Sequence, residues 1–232
     1  MKIAVIPARG GSKRIPRKNI RNFLGKPIIA YSIDAALKSG LFERVIVSTD
    51  DFEIADVARV FGAEVPFTRP AELADDHAGT APVVVHAIDW VVANNGPVDR
   101  ACCVYATAPF VTASALSSSL AKMEAAGADS ALAVTSFEFP IQRALRIARS
   151  GNLEPIYPEM IQQRSQDLEE AWHDAGQFYW GTPEAFSADP RTRITRALAI
   201  KVPRYLVQDI DTEEDWKRAE LIFAANERNQ RD

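Results

Sequence analysis

Short apolar runs alternate with longer stretches of helical periodicity along the first part of the chain. Continuous apolar runs predict buried strands over 3–6, 44–49, 64–67, 101–105 and 130–135. The stretches between them predict helices over 27–39, 52–61, 82–93 and 112–126. This alternation predicts an α/β fold, with a mainly parallel sheet that helices cover on both faces.

The pattern changes near residue 139. Residues 141–149 and 153–157 predict a hairpin around Ser150-Gly151-Asn152, and the residues that follow are polar and weakly periodic. We interpret 139–172 as an arm that leaves the main layer of a single domain spanning residues 1–232. An aromatic strand over 176–180, a last core strand over 196–202 and a helix over 213–225 then complete the domain, with a frayed end over 226–232.

The first strand runs into a basic loop that contains two glycines, PARGGSKRIPRKN over residues 7–19. Glycines let backbone N–H groups approach phosphate oxygens, and lysine and arginine supply charge and several donors. The loop is neither a Walker A motif nor a G-x-G-x-x-G dinucleotide motif. It therefore suits a polyanion such as a triphosphate, with a solvated turn or a nucleic-acid patch as the alternatives.

The net charge and the cysteine content of the chain narrow the choice of binding partner and cellular compartment. The formal net charge is -4, which disfavours nucleic acid as a partner of the whole chain. The adjacent Cys102 and Cys103 would face opposite sides of a strand as buried free thiols in a reducing compartment. No leader precedes the first strand, and no apolar run approaches the about 18 residues of a membrane span. We expect a cytoplasmic protein without a membrane partner, and His77 and His86 show no zinc-ligand spacing.

Two carboxylates near the end of the chain are candidates for a metal site. Asp209 and Asp211 would point to one side of an extended segment, with Ile210 on the other. Paired carboxylates suit Mg²⁺, which usually shares its oxygen ligands with substrate phosphates and water. The alternative is helix capping, because acids before a helix interact favourably with its dipole. Thr212 and Asp215 have the spacing of a capping box at the same helix.

The loop SKRIPRKNI, residues 12–20, resembles the opening of sugar-acid cytidylyltransferases, the CMP-N-acetylneuraminate synthetase family. Within that family it is most similar to the pseudaminic acid branch. The resemblance extends over most of the chain and includes STDD at 48–51, RPAEL at 69–73 and DIDTEED at 209–215. It implies a Rossmann-like nucleotidyltransferase fold, CTP and a nonulosonic acid as substrates, Mg²⁺ on Asp209 and Asp211, and a homodimer joined through the 139–172 arm.

The resemblance also assigns site residues. It implies nucleotide contacts from Ala8, Arg9, Gly10, Ser12, Lys18, Asn19, Arg69 and Thr80. Arg9 and Lys18 would face the phosphates and form the catalytic set with Asp211. An ion pair with Glu72 on the surface is the alternative for Arg69.

The implied sugar contacts are Tyr105, Thr107, Arg164, Gln166, Asp167 and Gln177, and a solvated polar segment is the alternative for 164–167. The sialic acid branch has Gln-Pro-Thr-Ser-Pro where this chain has YATAP at 105–109, and Asn-Gly-Ala-Ile-Tyr where it has DAGQFYW at 174–180. A glutamine replaced by Tyr105 changes both the donors and the cavity shape. His173 could help to recognise the sugar or serve a structural role.

The resemblance implies a cytidylyltransferase that moves CMP from CTP to the anomeric hydroxyl of a nonulosonic acid, with pseudaminic acid favoured. The alternatives are a CMP-N-acetylneuraminate or CMP-legionaminate synthetase, a transferase for 3-deoxy-manno-octulosonate, and a non-catalytic nucleotide-binding module. No residue stands out as a general base.

Overall fold

The computed structural model describes residues 1–75 and 78–229, so His77 lies outside the described part. Its strands are β1 (Lys2–Pro7), β2 (Asn22–Phe23), β3 (Lys26–Pro27), β4 (Arg44–Ser48), β5 (Arg100–Val104), β6 (Ser130–Ser136), β7 (Leu145–Ile147), β8 (Leu153–Pro155), β9 (Trp172–Gly181) and β10 (Leu198–Lys201). Its α-helices are α1 (Ile28–Ser39), α2 (Phe52–Val60), α3 (Thr80–Asn95), α4 (Ala113–Ala125), α5 (Pro183–Ser187), α6 (Pro190–Arg196) and α7 (Glu213–Asn229).

The main sheet has the strand order β10-β6-β9-β5-β1-β4. β1 pairs in parallel with β4 and β5, and β10 pairs in parallel with β6, whereas β9 runs antiparallel to β5 and β6. The predicted mainly parallel α/β fold is therefore confirmed. Because β4 and β5 lie on opposite sides of β1, a crevice opens beyond the carboxyl ends of β1 and β5, where ligands bind in such sheets.

Helices bury both faces of this sheet. One apolar cluster joins Ile6 of β1 and Val104 of β5 to α1 and α4, and another joins Val5 of β1 to α3. Cys102 and Cys103 belong to different clusters, and both are buried free thiols, as predicted. Burial raises the pKa of both thiols, so neither is activated as a nucleophile.

A third apolar cluster joins the two ends of the chain. Ile15 of the basic loop and Phe23 pack with Ile210 and with Trp216 of α7, all almost fully buried. The rings of Phe23 and Trp216 meet edge to face, with their centroids 5.6 Å apart. Burial of these side chains holds the basic loop against the segment that carries Asp209 and Asp211.

Several sequence predictions need correction. The strand predicted at 64–67 is a single bridge between Ile46 and Glu64, because Pro66 lacks the N–H that a ladder needs. Helices α5 and α6 were not predicted. Each begins with a capping residue followed by proline: Thr182 accepts from the N–H of Ala185, and Asp189 accepts from the N–H of Thr192.

Other boundaries also differ from prediction. The predicted strand over 196–202 is shorter because α6 ends only at Arg196, and β9 starts earlier than the predicted 176–180 strand. Helix α3 begins at Thr80, and α7 continues past the predicted end to Asn229. The predicted hairpin is confirmed as β7 and β8. In the described part of the chain, every helix is too short or too polar to cross a membrane.

Candidate active site

Two adjoining cavities open at the carboxyl ends of the central strands. The first cavity, of about 450 Å³, lies between the basic loop and the start of α3, and its polar lining includes Arg9, Ser12, Lys13, Arg14, Lys18, Asn19, Arg69 and Thr80. The second cavity, of about 650 Å³, lies between β9 and the segment before α7. Lys18, Tyr105 and Thr107 line both cavities. A molecule in either cavity therefore reaches the same three side chains.

Contacts to the end of β4 hold the basic loop. The N–H of Gly10 donates to Asp50 over 2.9 Å, and the side-chain amide of Asn19 donates to the carbonyl of Arg9 over 2.9 Å. Arg17, whose φ of 56° is left-handed, donates through Nη2 to Asp51 over 2.8 Å. Asp51 also caps α2 by accepting from the N–H of Ile54. The hydrogen bond from Arg17 lowers the pKa of Asp51 to about 2.

Two sequence-predicted nucleotide contacts lie behind the cavity wall. Ala8 is buried, and its N–H donates to the carbonyl of Ser48 over 2.9 Å. Neither Ala8 nor Gly10 lines the first cavity, and their N–H groups attach the loop to Ser48 at the end of β4 and to Asp50 just beyond it. A Cβ at Gly10 would lie 2.7 Å from an Asp51 oxygen, so the glycine is needed for close packing. The N–H of Gly10 is bonded to Asp50 in this structure, and the nucleotide contacts of Ala8 and Gly10 stay predictions.

Arg69 lies inside the fold instead of on the surface. It is 5% exposed, and its guanidinium donates to the carbonyl and, over 3.2 Å, to the hydroxyl of Ser48. Burial lowers its pKa to about 10, so it remains charged at neutral pH. The alternative ion pair with Glu72 is wrong, because the guanidinium points towards β4. Arg69 borders the first cavity as a fixed positive charge.

Lys18 joins the two ends of the chain at the boundary between the cavities. Its ammonium nitrogen donates to the carbonyl of Ile210 over 2.7 Å and lies 3.4 Å from a carboxylate oxygen of Asp211. Arg14, which the sequence reading did not assign to the site, forms an ion pair with Asp211 at 2.8 Å. The basic loop and the acidic pair therefore form one charged cluster.

Asp209 and Asp211 flank Ile210, which is 1% exposed, so the predicted alternation is present. Burial and the negative charge of Asp211 raise the pKa of Asp209, which indicates that the two carboxylates repel each other. The capping box is confirmed: the N–H of Thr212 donates to Asp215 over 2.8 Å, and the N–H of Asp215 donates to the Thr212 hydroxyl over 3.2 Å. Helix α7 is thus capped without the Asp209 and Asp211 side chains.

A bulge in β9 shapes the second cavity. Asp174 pairs with Val134 and Tyr179 pairs with Leu132, so residues 175–178 lie opposite a single residue of β6. Gly176 provides the left-handed turn, with φ of 61°. Bulges of this kind redirect side chains next to functional sites. Here the bulge places Asp174 and Tyr179 on the cavity wall.

A chain of hydrogen bonds runs along this wall. The Tyr105 hydroxyl lies 3.1 Å from the hydroxyl of Thr80 and 3.1 Å from that of Tyr179, and Tyr179 donates to Asp174. Burial is the main cause that raises the pKa of both tyrosines. The sequence reading assigned neither Asp174 nor Tyr179 to the site. Their signal was the presence of polar side chains within an aromatic strand.

Comparison with known proteins decides the family. The cytidylyltransferase family model matches residues 3–231. The chain belongs to this family. It is 43% identical over 224 residues to the pseudaminic acid cytidylyltransferase of Campylobacter jejuni subsp. jejuni serotype O:2, with 97% of each chain covered. It is 32% identical over 237 residues to the CMP-N,N'-diacetyllegionaminic acid synthase of Legionella pneumophila subsp. pneumophila, again with 97% of each covered.

A solved structure shares the fold. The structure of CMP:2-keto-3-deoxy-manno-octonic acid synthetase complexed with CTP superposes with a TM-score of 0.70 at 17% identity, covering 97% of this chain and 99% of that one. This likeness shows that the cytidylyltransferase described here has the same overall architecture as that synthetase.

The remaining predicted sugar contacts lie outside both cavities of this cytidylyltransferase chain. Gln177 is 4% exposed, and its amide donates to the carbonyl of Leu206 over 2.5 Å, so it holds the segment before Asp209. Arg164, Gln166 and Asp167 lie on an exposed turn of the arm, around the 3₁₀ helix Ser165–Asp167. Within one chain, these three side chains do not meet Tyr105 and Thr107.

Proposed function

We propose that this protein transfers CMP from CTP to the anomeric hydroxyl of a nonulosonic acid, with pseudaminic acid as the preferred acceptor, and releases pyrophosphate. The main support for this proposal is the position of Lys18, which lines both cavities and contacts the segment that contains Asp209 and Asp211. A cavity rich in cations suits the triphosphate, and the adjoining cavity suits the sugar acid. Support for pseudaminic acid comes from the name of the relative at 43% identity, whereas the legionaminic acid synthase at 32% identity supports only the wider class of nonulosonic acids.

Positioning and charge neutralisation would provide most of the catalysis. In phosphoryl-type transfer little covalent chemistry falls to the protein, so in-line alignment of the attacking hydroxyl with the α-phosphorus is the main requirement. Arg9 and Lys18 would neutralise the triphosphate and the departing pyrophosphate. Arg69 would bind the nucleotide at its end of the first cavity. Tyr105 and Thr107, shared by both cavities, would orient the acceptor against the nucleotide.

The acidic pair fits Mg²⁺. Asp209 and Asp211 offer carboxylate oxygens next to a cavity lined by phosphate-binding cations, and Mg²⁺ usually needs only one or two carboxylates besides phosphate and water. Among residues 1–75 and 78–229, no group of three or more histidines, cysteines and acids is arranged to hold a metal ion. When bound, Mg²⁺ would neutralise phosphate oxygens and lower the pKa of the attacking hydroxyl.

We also propose a homodimer through the 139–172 arm, acting in the cytoplasm, where CTP and free thiols occur. Isolated two-stranded hairpins are only marginally stable in water, and β7 and β8 have three residues each. The arm exposes 76% of Phe139, 76% of Ile147 and 65% of Leu153. A partner chain would cover this surface and would bring Arg164, Gln166 and Asp167 towards a sugar. A monomeric mass in light scattering at micromolar concentration would refute this arrangement.

Pyrophosphate release tests the reaction directly. The assay would supply CTP and Mg²⁺ with pseudaminic acid, N-acetylneuraminate, a legionaminic acid or 3-deoxy-manno-octulosonate. We expect the highest kcat/KM with pseudaminic acid. CTP binding without pyrophosphate release for any of the acceptors would instead identify a non-catalytic nucleotide-binding module.

A further inference from the structure

We propose that Asp174 binds the acylamino part of the acceptor sugar, and that Tyr179 is a positioning residue that orients Asp174 for this contact. The inference rests on the proposed function and specifies the substrate class that the second cavity selects. Asp174 belongs to the wall of this cavity, together with Tyr179 and Gly176. Its two carboxylate oxygens are held separately: Oδ1 accepts from the N–H of Gly176 over 2.7 Å, and Oδ2 accepts from the hydroxyl of Tyr179.

The hydrogen-bond chain behind Asp174 has a fixed direction. The Tyr179 hydroxyl donates its single hydrogen to Asp174, so its oxygen must accept from the Tyr105 hydroxyl. The Tyr105 oxygen then accepts from the hydroxyl of Thr80, at the edge of the first cavity. Each donor along this chain points towards Asp174, and such alignment strengthens the successive bonds. Both tyrosines are packed edge to face, with ring centroids 5.5 Å apart, which fixes their hydroxyls.

The chemistry of the acceptor determines which end of the sugar reaches Asp174. In a 2-ulosonic acid, the attacking hydroxyl and the carboxylate are on the same carbon. This carbon must approach the nucleotide, and therefore Lys18, which lines both cavities. Asp174 does not line the first cavity and is separated from it by two tyrosine side chains. The distal part of the sugar, with its hydroxyls and acylamino groups, is then left to face Asp174.

A carboxylate at this position distinguishes acceptor sugars in two ways: by the hydrogen-bond donors that they offer and by the charge that they bring close to it. Each Asp174 oxygen keeps lone-pair capacity beyond its one internal bond, so it can accept from an acylamino N–H of the sugar. It repels the sugar carboxylate and so disfavours the reversed orientation. Arg204 and Arg218 also line the second cavity, so cations are available for the carboxylate end. Asp174 is exposed in the free chain, and a bound sugar would cover it, so an acceptor without the N–H donor would leave the covered carboxylate without that partner, which makes the contact selective.

The decisive measurement compares two acceptors that differ only in the replacement of one N–H group by an oxygen atom. One is a nonulosonic acid with a distal acetamido group, and the other carries an acetoxy group at the same carbon, which removes the N–H donor. We expect the full-length wild-type protein to prefer the acetamido acceptor about 10-fold or more in kcat/KM. Tyr179→Phe and Asp174→Asn should reduce this preference to within about 3-fold, mainly by raising the KM for the acetamido acceptor.

Matched controls separate positioning from folding. Tyr31→Phe removes a hydroxyl that donates to the carbonyl of Phe23 over 2.7 Å, away from both cavities, and should retain the wild-type preference. Tyr179→Phe should bind CTP in the absence of acceptor with an unchanged Kd. Loss of CTP binding, or an equal loss with both acceptors, would mean that Tyr179 is only structural and would overturn the inference.

The experiment also distinguishes the two proposals. If the wild-type protein turns over nonulosonic acids but Tyr179→Phe and Asp174→Asn keep the wild-type preference, the assignment of Asp174 fails while the proposed function stands. If the wild-type protein binds CTP but releases no pyrophosphate with any acceptor, the proposed function fails, and the inference fails with it.

Discussion

The ammonium nitrogen of Lys18 lies 3.4 Å from a carboxylate oxygen of Asp211, although 193 positions separate the two residues in the chain. The same nitrogen donates to the carbonyl of Ile210 over 2.7 Å. Beneath this contact, Ile15 and Ile210 pack in the apolar cluster that also contains Trp216. The charged site therefore forms only when the first and last parts of the domain pack together.

Removal of the Lys18 charge should impair turnover without unfolding the protein. We expect Lys18→Met to lower kcat/KM for pyrophosphate release by about 10²- to 10³-fold, the scale for loss of one charged stabiliser of the transition state. Steady-state kinetics with saturating acceptor provide the measurement. Lys38→Met is the matched control, because Lys38 is 73% exposed on α1, and its kinetics should equal those of the wild type. Wild-type kinetics for Lys18→Met would place Lys18 outside the reaction.

Asp211→Asn should separate nucleotide binding from turnover. The substitution keeps the side-chain shape but removes the charge that pairs with Arg14 and Lys18. We expect turnover to fall by about 10³-fold, while CTP still binds because both cations become available to its phosphates. Calorimetric CTP binding and a pyrophosphate assay over a range of Mg²⁺ concentrations test this expectation. Near-normal, Mg²⁺-dependent turnover would contradict a metal role for Asp211.

The sequence predicted the central layer well because its strands are buried on both faces. Apolar runs such as 44–49 have few alternatives to a strand in a covered parallel sheet. The predictions failed where local backbone geometry determines the secondary structure. Pro66 stopped a strand that hydrophobicity predicted, and two short helices begin at Thr-Pro and Asp-Pro pairs that have little helical periodicity. These caps were visible in the sequence, but their tertiary packing was not.

For the site, the charges of the loop and the acidic pair indicated the chemistry, but not how each group is used. The N–H of Gly10 turned out to bind Asp50, and the amide of Gln177 turned out to bind Leu206. A residue type shows which bonds a group can form, whereas the fold determines which of them it does form. The residues of the β9 bulge, which places Asp174 on the cavity wall, show no regular spacing of apolar positions. Sequence patterns therefore could not reveal the bulge.

The ion pair between Arg17 and Asp51 predicts a pH-dependent stability. The pKa of Asp51 in the folded protein is about 2, below its usual 3.8, so its contribution is complete above about pH 5 and is lost as the pH falls towards 2. Because Arg17 is 39% exposed, we expect Arg17→Met to cost about 1 kcal/mol of unfolding free energy at pH 7.

Urea unfolding of Arg17→Met between pH 7 and pH 3 measures this contribution. The difference from wild type should shrink as the pH falls. Arg59→Met, which removes the exposed pair with Asp56 on the same helix, should cost less than about 0.5 kcal/mol at every pH. A constant difference for Arg17→Met across this range would show that packing, and not the charge of Asp51, is responsible.

The two glycines of the basic loop should respond differently to alanine. A Cβ at Gly10 would lie 2.7 Å from Asp51 Oδ2, whereas at Gly11 it meets nothing within 4 Å. We expect Gly10→Ala to lower the unfolding free energy by about 1–3 kcal/mol and to raise the KM for CTP, because the loop must shift. Gly11→Ala should leave stability within about 0.5 kcal/mol of wild type. Equal melting temperatures for the two variants would refute the close approach of Gly10 to Asp51.

The central position of β9 has a consequence for changes of acceptor preference. This strand carries one wall of the second cavity, the proposed sugar site, yet it also hydrogen-bonds to β5 on one side and β6 on the other. Substitutions that change the preference for the acceptor therefore disturb the middle of the sheet. Binding of the donor nucleotide depends instead on loops beyond the carboxyl ends of the strands. Diversification towards new sugars should accordingly require compensating mutations elsewhere in the fold, while the half that binds CTP can stay unchanged.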